Sequence, residues 1–111
     1  MTATTAAKLE ERAANPAAMM AQARVASDLM KSLSNETRLM ILCLLSSGEM
    51  TVSELEDRLH VQQAPLSQQL ARLRNERLVK TRREGRMIHY SIADPNVSEV
   101  VKTLYRIYCP V

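Results

Sequence analysis

The sequence of 111 residues contains no tryptophan and no phenylalanine, and only three tyrosines. The core of a single domain must therefore be built from leucine, isoleucine, valine, methionine and alanine, and the seven methionines favour a helical interior. The longest apolar run, LMILCLL, is too short to span a bilayer. The first residues lack a basic segment followed by an apolar one, so we expect no signal peptide and a cytoplasmic protein.

Glycine and cysteine are also scarce, with two residues of each. Gly48 and Gly85 cannot form a glycine-rich phosphate-binding loop, and neither cysteine has a histidine close in sequence that could act as its base. We therefore expect that the protein is not an enzyme. Cys43 and Cys109 are too far apart in sequence for a local metal-binding knuckle. They are either two buried core residues or a pair that the fold brings together.

Apolar residues recur at helical spacing in five segments of the chain. The second of these segments is nearly all apolar, which indicates a central helix, and Asn35 is typical of its N-cap. Thr51 and Ser53 are candidate caps of the third helix, and Asp94 and Pro95 mark the start of the last. The predicted helices cover residues 16–33, 36–45, 51–59, 64–78 and 95–109.

The fourth predicted helix, APLSQQLARLRNERL, has a polar face of unusual composition. Leu66, Leu70 and Leu73 form its buried stripe. The opposite face is small, amide-rich and basic, whereas an exposed helix ordinarily mixes charges of both signs. Glutamine can pair with adenine and arginine with guanine in the major groove, so this face predicts DNA binding. The candidate DNA-contacting residues in and beside this helix are Gln63, Ser67, Gln68, Gln69 and Arg72.

The segment LVKTRREGRMIHYSI then changes to a strand-like alternation and predicts a β-hairpin, with Glu84-Gly85 as its two-residue turn. The net charge of the protein is only +3, but most of the charged residues from Arg72 to Arg86 are basic. Such a cluster is typical of a surface that binds nucleic acid. The residues predicted to contact phosphate near the hairpin tip are Arg82, Arg83 and Arg86.

The order of elements predicts a mainly α fold with a small β-hairpin, a winged helix-turn-helix of order α-α-α-α-β-β-α. The segments LSNETRLMILCLL, TVSELEDRLHVQQAPLSQQLARLRNERLV and TRREGRMIHYSI together resemble the ArsR/SmtB family of winged-helix repressors. The resemblance implies a homodimer that binds a near-palindromic double-stranded operator, with dimerisation helices at about 16–33 and 95–109. We expect a flexible segment at 1–15 and one winged-helix domain at 16–111.

The chain departs from the family's metal-sensing pattern. That motif resembles E-L-C-V-C-D-L, whereas this sequence reads EMTVSEL, with Thr51 and Ser53 in place of the thiolates. A hydroxyl is a poor ligand for soft metals, and the last helix lacks the histidines of the family's interface zinc site. We therefore expect no metal site. A second departure is Arg77, where the family usually has glycine; a left-handed conformation there would cost about 1 kcal/mol unless Asn75 ends the helix earlier.

The positions of Cys43 and Cys109, with the flanking patterns RLM-x-x-C and LY-x-I-Y-C, resemble the persulfide-sensing branch of the family. This resemblance implies a redox-sensing thiol pair that reactive sulfur species join through a polysulfide bridge, after which the protein leaves DNA.

Three alternatives stay open. The protein could be a winged-helix repressor that responds to another ligand, such as a disulfide-forming oxidant or haem bound by His89 or one of the cysteines. Both cysteines could be ordinary core residues, although Cys109 lies at a chain end, where packing is seldom tight. A non-DNA interaction protein is disfavoured by the outward Gln68 and Arg72.

Overall fold

The computed structural model describes residues 15–109. The flexible segment expected at 1–15 therefore lies outside the described residues, except for Asn15. The chain divides into two compact units, Met1–Lys31 and Ser32–Val111. The elements are α1 (Pro16–Leu33), α2 (Glu36–Leu45), β1 (Met50–Thr51), α3 (Val52–Leu59), α4 (Gln63–Asn75), β2 (Val79–Glu84), β3 (Met87–Ile92) and α5 (Pro95–Tyr108).

Helix α1 is amphipathic in sequence, but its apolar side chains are largely exposed in the single chain. Met20, Val25 and Met30 are each about two-thirds exposed. Only the last two residues of the helix, Ser32 and Leu33, are buried, and they belong to the second unit. An apolar face left in water is unfavourable, so α1 presents a surface that another surface should cover.

Helix α2 is central in the second unit, as its apolar sequence predicts. The side chain of Asn35 caps it by accepting a hydrogen bond of 3.0 Å from the Arg38 N–H. Ile41, Leu42 and Leu45 are buried, and α2 contacts α3, α4 and α5. Because α2 touches both the fourth and the last helix, a change on its surface can reach either of them.

Of the two candidate caps of α3, Thr51 is the one that the structure uses. Its hydroxyl accepts from the Glu54 N–H at 3.2 Å, and the Glu54 carboxylate accepts from the Thr51 N–H at 3.1 Å, which forms a capping box. His60 ends α3 in a left-handed conformation with φ of 55°, and this turn directs the chain into α4. The two helices thus form the predicted helix-turn-helix.

Helix α4 buries Leu66, Leu70 and Leu73, as predicted. Its end is a Schellman motif, in which the Leu78 N–H donates to the Leu73 carbonyl at 2.9 Å and the Arg77 N–H to the Arg74 carbonyl at 3.0 Å. Arg77 is left-handed with φ of 62°, so the conformation usually taken by glycine is retained although the residue is arginine.

The sheet differs from the predicted hairpin in two ways. It has three strands in the order β1-β3-β2, because Met50 and Thr51 pair antiparallel with Tyr90 and His89. The turn is also shifted by one residue from the predicted Glu84-Gly85. Glu84 pairs with Met87, which leaves Gly85 and Arg86 as the two-residue loop. Gly85 has φ of +63° at the first loop position, where tight hairpin turns favour glycine.

Helix α5 begins as predicted: the Asp94 side chain accepts from the Asn96 N–H at 2.9 Å, and Pro95 is its first residue. The apolar residues that recur at helical spacing in this segment are only partly buried, because Val97 and Val101 are enclosed whereas Tyr108 is 75% exposed. None of the helices between Pro16 and Tyr108 is long and apolar enough to cross a membrane.

Candidate functional site

The outer face of α4 is available to a partner. Gln63, Ser67 and Gln68 lie in its first half and are exposed, while the leucines on the opposite face fix the helix on the core. Within residues 15–109, none of these three side chains forms a hydrogen bond to another residue. Their amide and hydroxyl groups can therefore bond to groups outside the protein.

Gln69, predicted to support DNA contact, is half-buried and is bonded inside the protein. Its amide oxygen accepts a hydrogen bond of 2.9 Å from Arg38 Nη1. Arg38 is 5% exposed, and its Nε donates to the Ser32 carbonyl at 2.7 Å. Through this guanidinium, the end of α1 and helix α2 hold the position of α4. The sequence signal that could have indicated this role is the position of Arg38 as the one basic residue of a mainly apolar helix.

Arg72, another candidate, lies on the exposed side of α4 with its side chain 53% exposed. Its Nε donates to Glu76 at 3.1 Å, one helical turn away. The Ser32 hydroxyl also donates to Glu76, and this bond, with the charge and hydrogen bond of Arg72, lowers the pKa of the Glu76 carboxyl. Glu76 therefore stays ionised and keeps Arg72 close to the helix surface.

The wing arginines differ in their surroundings. Arg82 donates to Glu49 at 2.6 Å and to Glu84 at 3.0 Å, and the hydrogen bond from Arg82 lowers the pKa of Glu49. Arg83 makes a long bond of 3.4 Å to the Gly85 carbonyl, and Arg86 lies exposed in the turn. Arg83 and Arg86 therefore present their charge to solvent, whereas that of Arg82 is partly neutralised by two carboxylates.

His89 lies in the middle strand of the sheet, with its side chain 18% exposed. Its ring nitrogens approach the carboxylates of Glu49 and Glu84 at 3.9 and 3.7 Å. Among residues 15–109, no three histidine, cysteine or acidic side chains converge into a group that could hold a metal ion.

The two cysteines are free thiols on facing elements, one half-buried and one exposed. Cys43 lies in α2, where its Sγ is 4.0 Å from the Val101 carbonyl of α5. Cys109 follows the last turn of α5, and its N–H donates to the Tyr105 carbonyl at 2.8 Å. Burial raises the pKa of the Cys43 thiol, and the charge of Cys109 raises it further. The fold thus places the two thiols within electrostatic reach of each other.

A cavity of about 450 Å³ opens beside Cys43. It lies between the end of α2, the following loop, α3 and α5. Its polar and reactive lining consists of Cys43, Ser46, Ser47, Arg58, Lys102 and Tyr105.

Comparison with known families gives a match between residues 35–81 and the model of the bacterial regulatory proteins of the arsR family. This range runs from the cap of α2 through the helix-turn-helix into β2. The matched segment therefore contains the exposed face of α4 described above.

Individual proteins resemble the chain over a longer range. The transcriptional activator HlyU of Vibrio cholerae is 43% identical over 73% of this chain and 75% of its own length. The biofilm growth-associated repressor of Agrobacterium fabrum is 41% identical over 83% of this chain and 79% of its own. The crystal structure of the transcriptional repressor BigR from Xylella fastidiosa superposes with a TM-score of 0.80, at 37% identity, covering 87% of this chain and 99% of that one.

Proposed function

This chain belongs to the ArsR family of bacterial regulatory proteins, and from that premise we propose that it is a homodimeric repressor whose operator binding is switched off when reactive sulfur bridges Cys43 and Cys109. The family is one of DNA-binding transcriptional regulators with the winged-helix fold, not of enzymes. One relative is named an activator and others are named repressors. We favour repression because the A. fabrum protein and BigR, which are named repressors, cover 83% and 87% of this chain, whereas the activator covers 73%.

The proposed DNA interface consists of α4 in the major groove and the wing on the backbone. In a helix-turn-helix, the first half of the second helix contacts base edges, which is where Gln63, Ser67 and Gln68 are exposed. Arg72, Arg83 and Arg86 supply positive charge around it. Gln69 acts through Arg38 to hold the helix in place, and Arg82 contributes less charge because two carboxylates bind it.

Replacing Gln68 and Arg83 should produce two different defects. Gln68→Ala is expected to weaken operator binding by about 1–3 kcal/mol and to relax sequence preference, because an amide that reads a base edge is lost. Arg83→Ala is expected to weaken binding to all sequences and to reduce the slope of log affinity against log salt by about 1. Fluorescence anisotropy titrations with operator and scrambled duplexes, each at several salt concentrations, measure both effects.

Asn96→Ala is a matched control, since it removes an exposed amide at the start of α5, outside the proposed interface. It should bind both duplexes as the wild type does. An unchanged operator preference in Gln68→Ala would mean that the exposed face of α4 does not read bases.

Homodimer formation is supported by apolar side chains that the single chain leaves in solvent. They lie on α1, as described, and on the last turn of α5, where Ile107 and Tyr108 are 63% and 75% exposed. A second copy of the same surfaces would remove this area from water. The dimer would place two α4 helices on half-sites about 34–36 Å apart.

The observation that carries the sulfur-sensing proposal is the contact between the elements that hold the two thiols: Cys43 Sγ lies 4.0 Å from the Val101 carbonyl of α5, the helix that Cys109 follows. A direct disulfide requires Cα atoms within about 7 Å, whereas inserted sulfur atoms extend the reach of a bridge. A persulfide RSSH serves as both sulfur donor and oxidant. Two cysteine thiols and n+1 molecules of RSSH give a bridge with n inserted sulfur atoms, n+1 molecules of RSH and one molecule of hydrogen sulfide. The bridge would join α2, which supports α4, to α5, which belongs to the proposed dimer interface.

The interaction of the thiols has a direct test in the titration of Cys43. Cys109→Ser is expected to lower the pKa of Cys43, because a neighbouring thiolate no longer opposes its ionisation. Burial still acts in this variant, so the pKa of Cys43 should stay above that of an exposed thiol. The pH dependence of the alkylation rate at Cys43, followed by mass spectrometry, measures the shift.

Thr103→Ser is the control, because it introduces serine in the same helix, retains the hydroxyl that donates to the Glu99 carbonyl, and keeps Cys109. It should leave the titration of Cys43 unchanged. If Cys109→Ser titrates as the wild type does, the two thiols do not form a pair.

A further inference from the structure

We propose that the cavity beside Cys43 is a recognition site for the anionic group of the sulfur donor. A small organic persulfide would bind its carboxylate to Arg58 and Lys102 and present its outer sulfur to Cys43. The inference rests on the proposed function and adds which class of donor the protein accepts.

The cavity has the size and composition of a small-molecule site. Its volume of about 450 Å³ lies within the range of ligand pockets, and it reaches the half-buried Cys43 from solvent. Met50 and Leu44 provide apolar lining, and the hydroxyl-bearing Tyr105 stands on α5. A donor that reacts with Cys43 can approach it through this space.

The charges of the cavity select the sign of its ligand. Arg58 comes from the last turn of α3 and Lys102 from α5, and both are exposed cations. No acidic side chain is among the described residues that line the cavity. Two positive charges that face a cavity lined by no carboxylate attract an anion and repel a cation.

The chemistry at Cys43 requires such positioning. The Cys43 thiolate attacks the outer sulfur of R–S–SH, a new Cys43–S bond forms, and the S–S bond of the donor breaks. The leaving thiolate takes up the proton that Cys43 released, so that Cys–SH + R–S–SH gives Cys–S–SH + R–SH. Cys109 is exposed and open to any donor, so selection between donors falls to the half-buried Cys43.

Two donors of similar size and opposite charge test the inference: the persulfides of 3-mercaptopropionate and of cysteamine. The rate of persulfide formation at Cys43 is followed by mass spectrometry in the Cys109→Ser chain, so that only the first transfer is observed. The anionic donor is expected to react about tenfold faster, and about 0.5 M salt should reduce this advantage.

Arg58→Gln and Lys102→Gln are each expected to lower the rate with the anionic donor about threefold, and the double variant about tenfold. The rate with cysteamine persulfide should not fall in any of them, which also shows that Cys43 is still folded into place. Lys80→Gln removes one positive charge from β2, outside the cavity, and should keep the wild-type preference.

The possible outcomes separate the two proposals. The recognition site would be overturned by equal rates with both donors, or by rates with the anionic donor that do not change in the Arg58 and Lys102 variants. In either case, sulfur transfer to Cys43 would still support the proposed function. Absence of sulfur uptake by the wild type from either donor would overturn the proposed function itself.

Discussion

Cys43→Ser and Cys109→Ser should each bind the operator as the reduced wild type does, and each should stay bound after treatment with a persulfide. A bridge needs both sulfur atoms, so either substitution prevents it. To shift a population from about 99:1 bound to about 1:99, the bridge must favour the released form by roughly 5.5 kcal/mol. A covalent bridge can impose a bias of this size, whereas one new hydrogen bond contributes only about 1 kcal/mol.

The measurement is an operator titration of the wild type and both variants, before and after the donor, with intact-protein mass spectrometry on the same samples. The wild type should gain sulfur within one subunit, lose operator affinity by roughly 10⁴-fold, and recover on addition of a thiol reductant. Thr103→Ser, which keeps both thiols and the apolar surface of α5, should respond as the wild type does. DNA release by either single cysteine variant at the same dose would show that a bridge between these residues is not the switch.

Arg38→Ala is expected to lower the free energy of unfolding by about 3 kcal/mol. The guanidinium is buried and makes charge-assisted hydrogen bonds to the Ser32 carbonyl and to Gln69, as described above. Alanine leaves both acceptors without this donor inside the fold and also creates a cavity. Chemical denaturation at a fixed protein concentration measures the loss, since dimerisation makes the stability concentration-dependent.

Arg86→Ala is the comparison, because it removes an exposed arginine from the hairpin turn. Its free energy of unfolding should stay within about 0.5 kcal/mol of the wild type, although its affinity for DNA should fall. If Arg38→Ala is as stable as the wild type, the buried guanidinium does not hold α4 in position.

Local signals in the sequence were sufficient for most of the fold. The leucine spacing of α4 and the caps at Asn35 and Asp94 depend on residues a few positions apart, so pattern and propensity determine them. The family resemblance left two alternatives open, a left-handed Arg77 or an earlier helix end at Asn75, and the structure shows the left-handed Arg77.

Features that depend on distant partners were not predictable in the same way. Strand β1 is only two residues long and forms because β3 offers it an edge, which no local pattern reveals. The exposure of Tyr108 reflects a surface that the single chain does not cover, although its spacing is that of a core residue.

The same limit applies to the candidate site. Gln69 has the spacing of an outward residue, yet Arg38, far away in sequence, binds it. Arg58 and Lys102 lie on different helices, and only the tertiary fold places them around one cavity with Cys43. The proposed pairing of Cys43 with Cys109 came only from resemblance to a family, because the residues between them contain no signal of their proximity.

The position of β2 in the sheet has a consequence for solubility. Of the three strands described, β3 is in the middle and β2 lies at an edge, where unpaired backbone groups can template association with another chain. The exposed Lys80 and Arg83 put positive charges along that edge, and identical charges on two copies repel each other. The basic character of the wing therefore protects the protein against edge-to-edge aggregation whenever it is not bound to DNA.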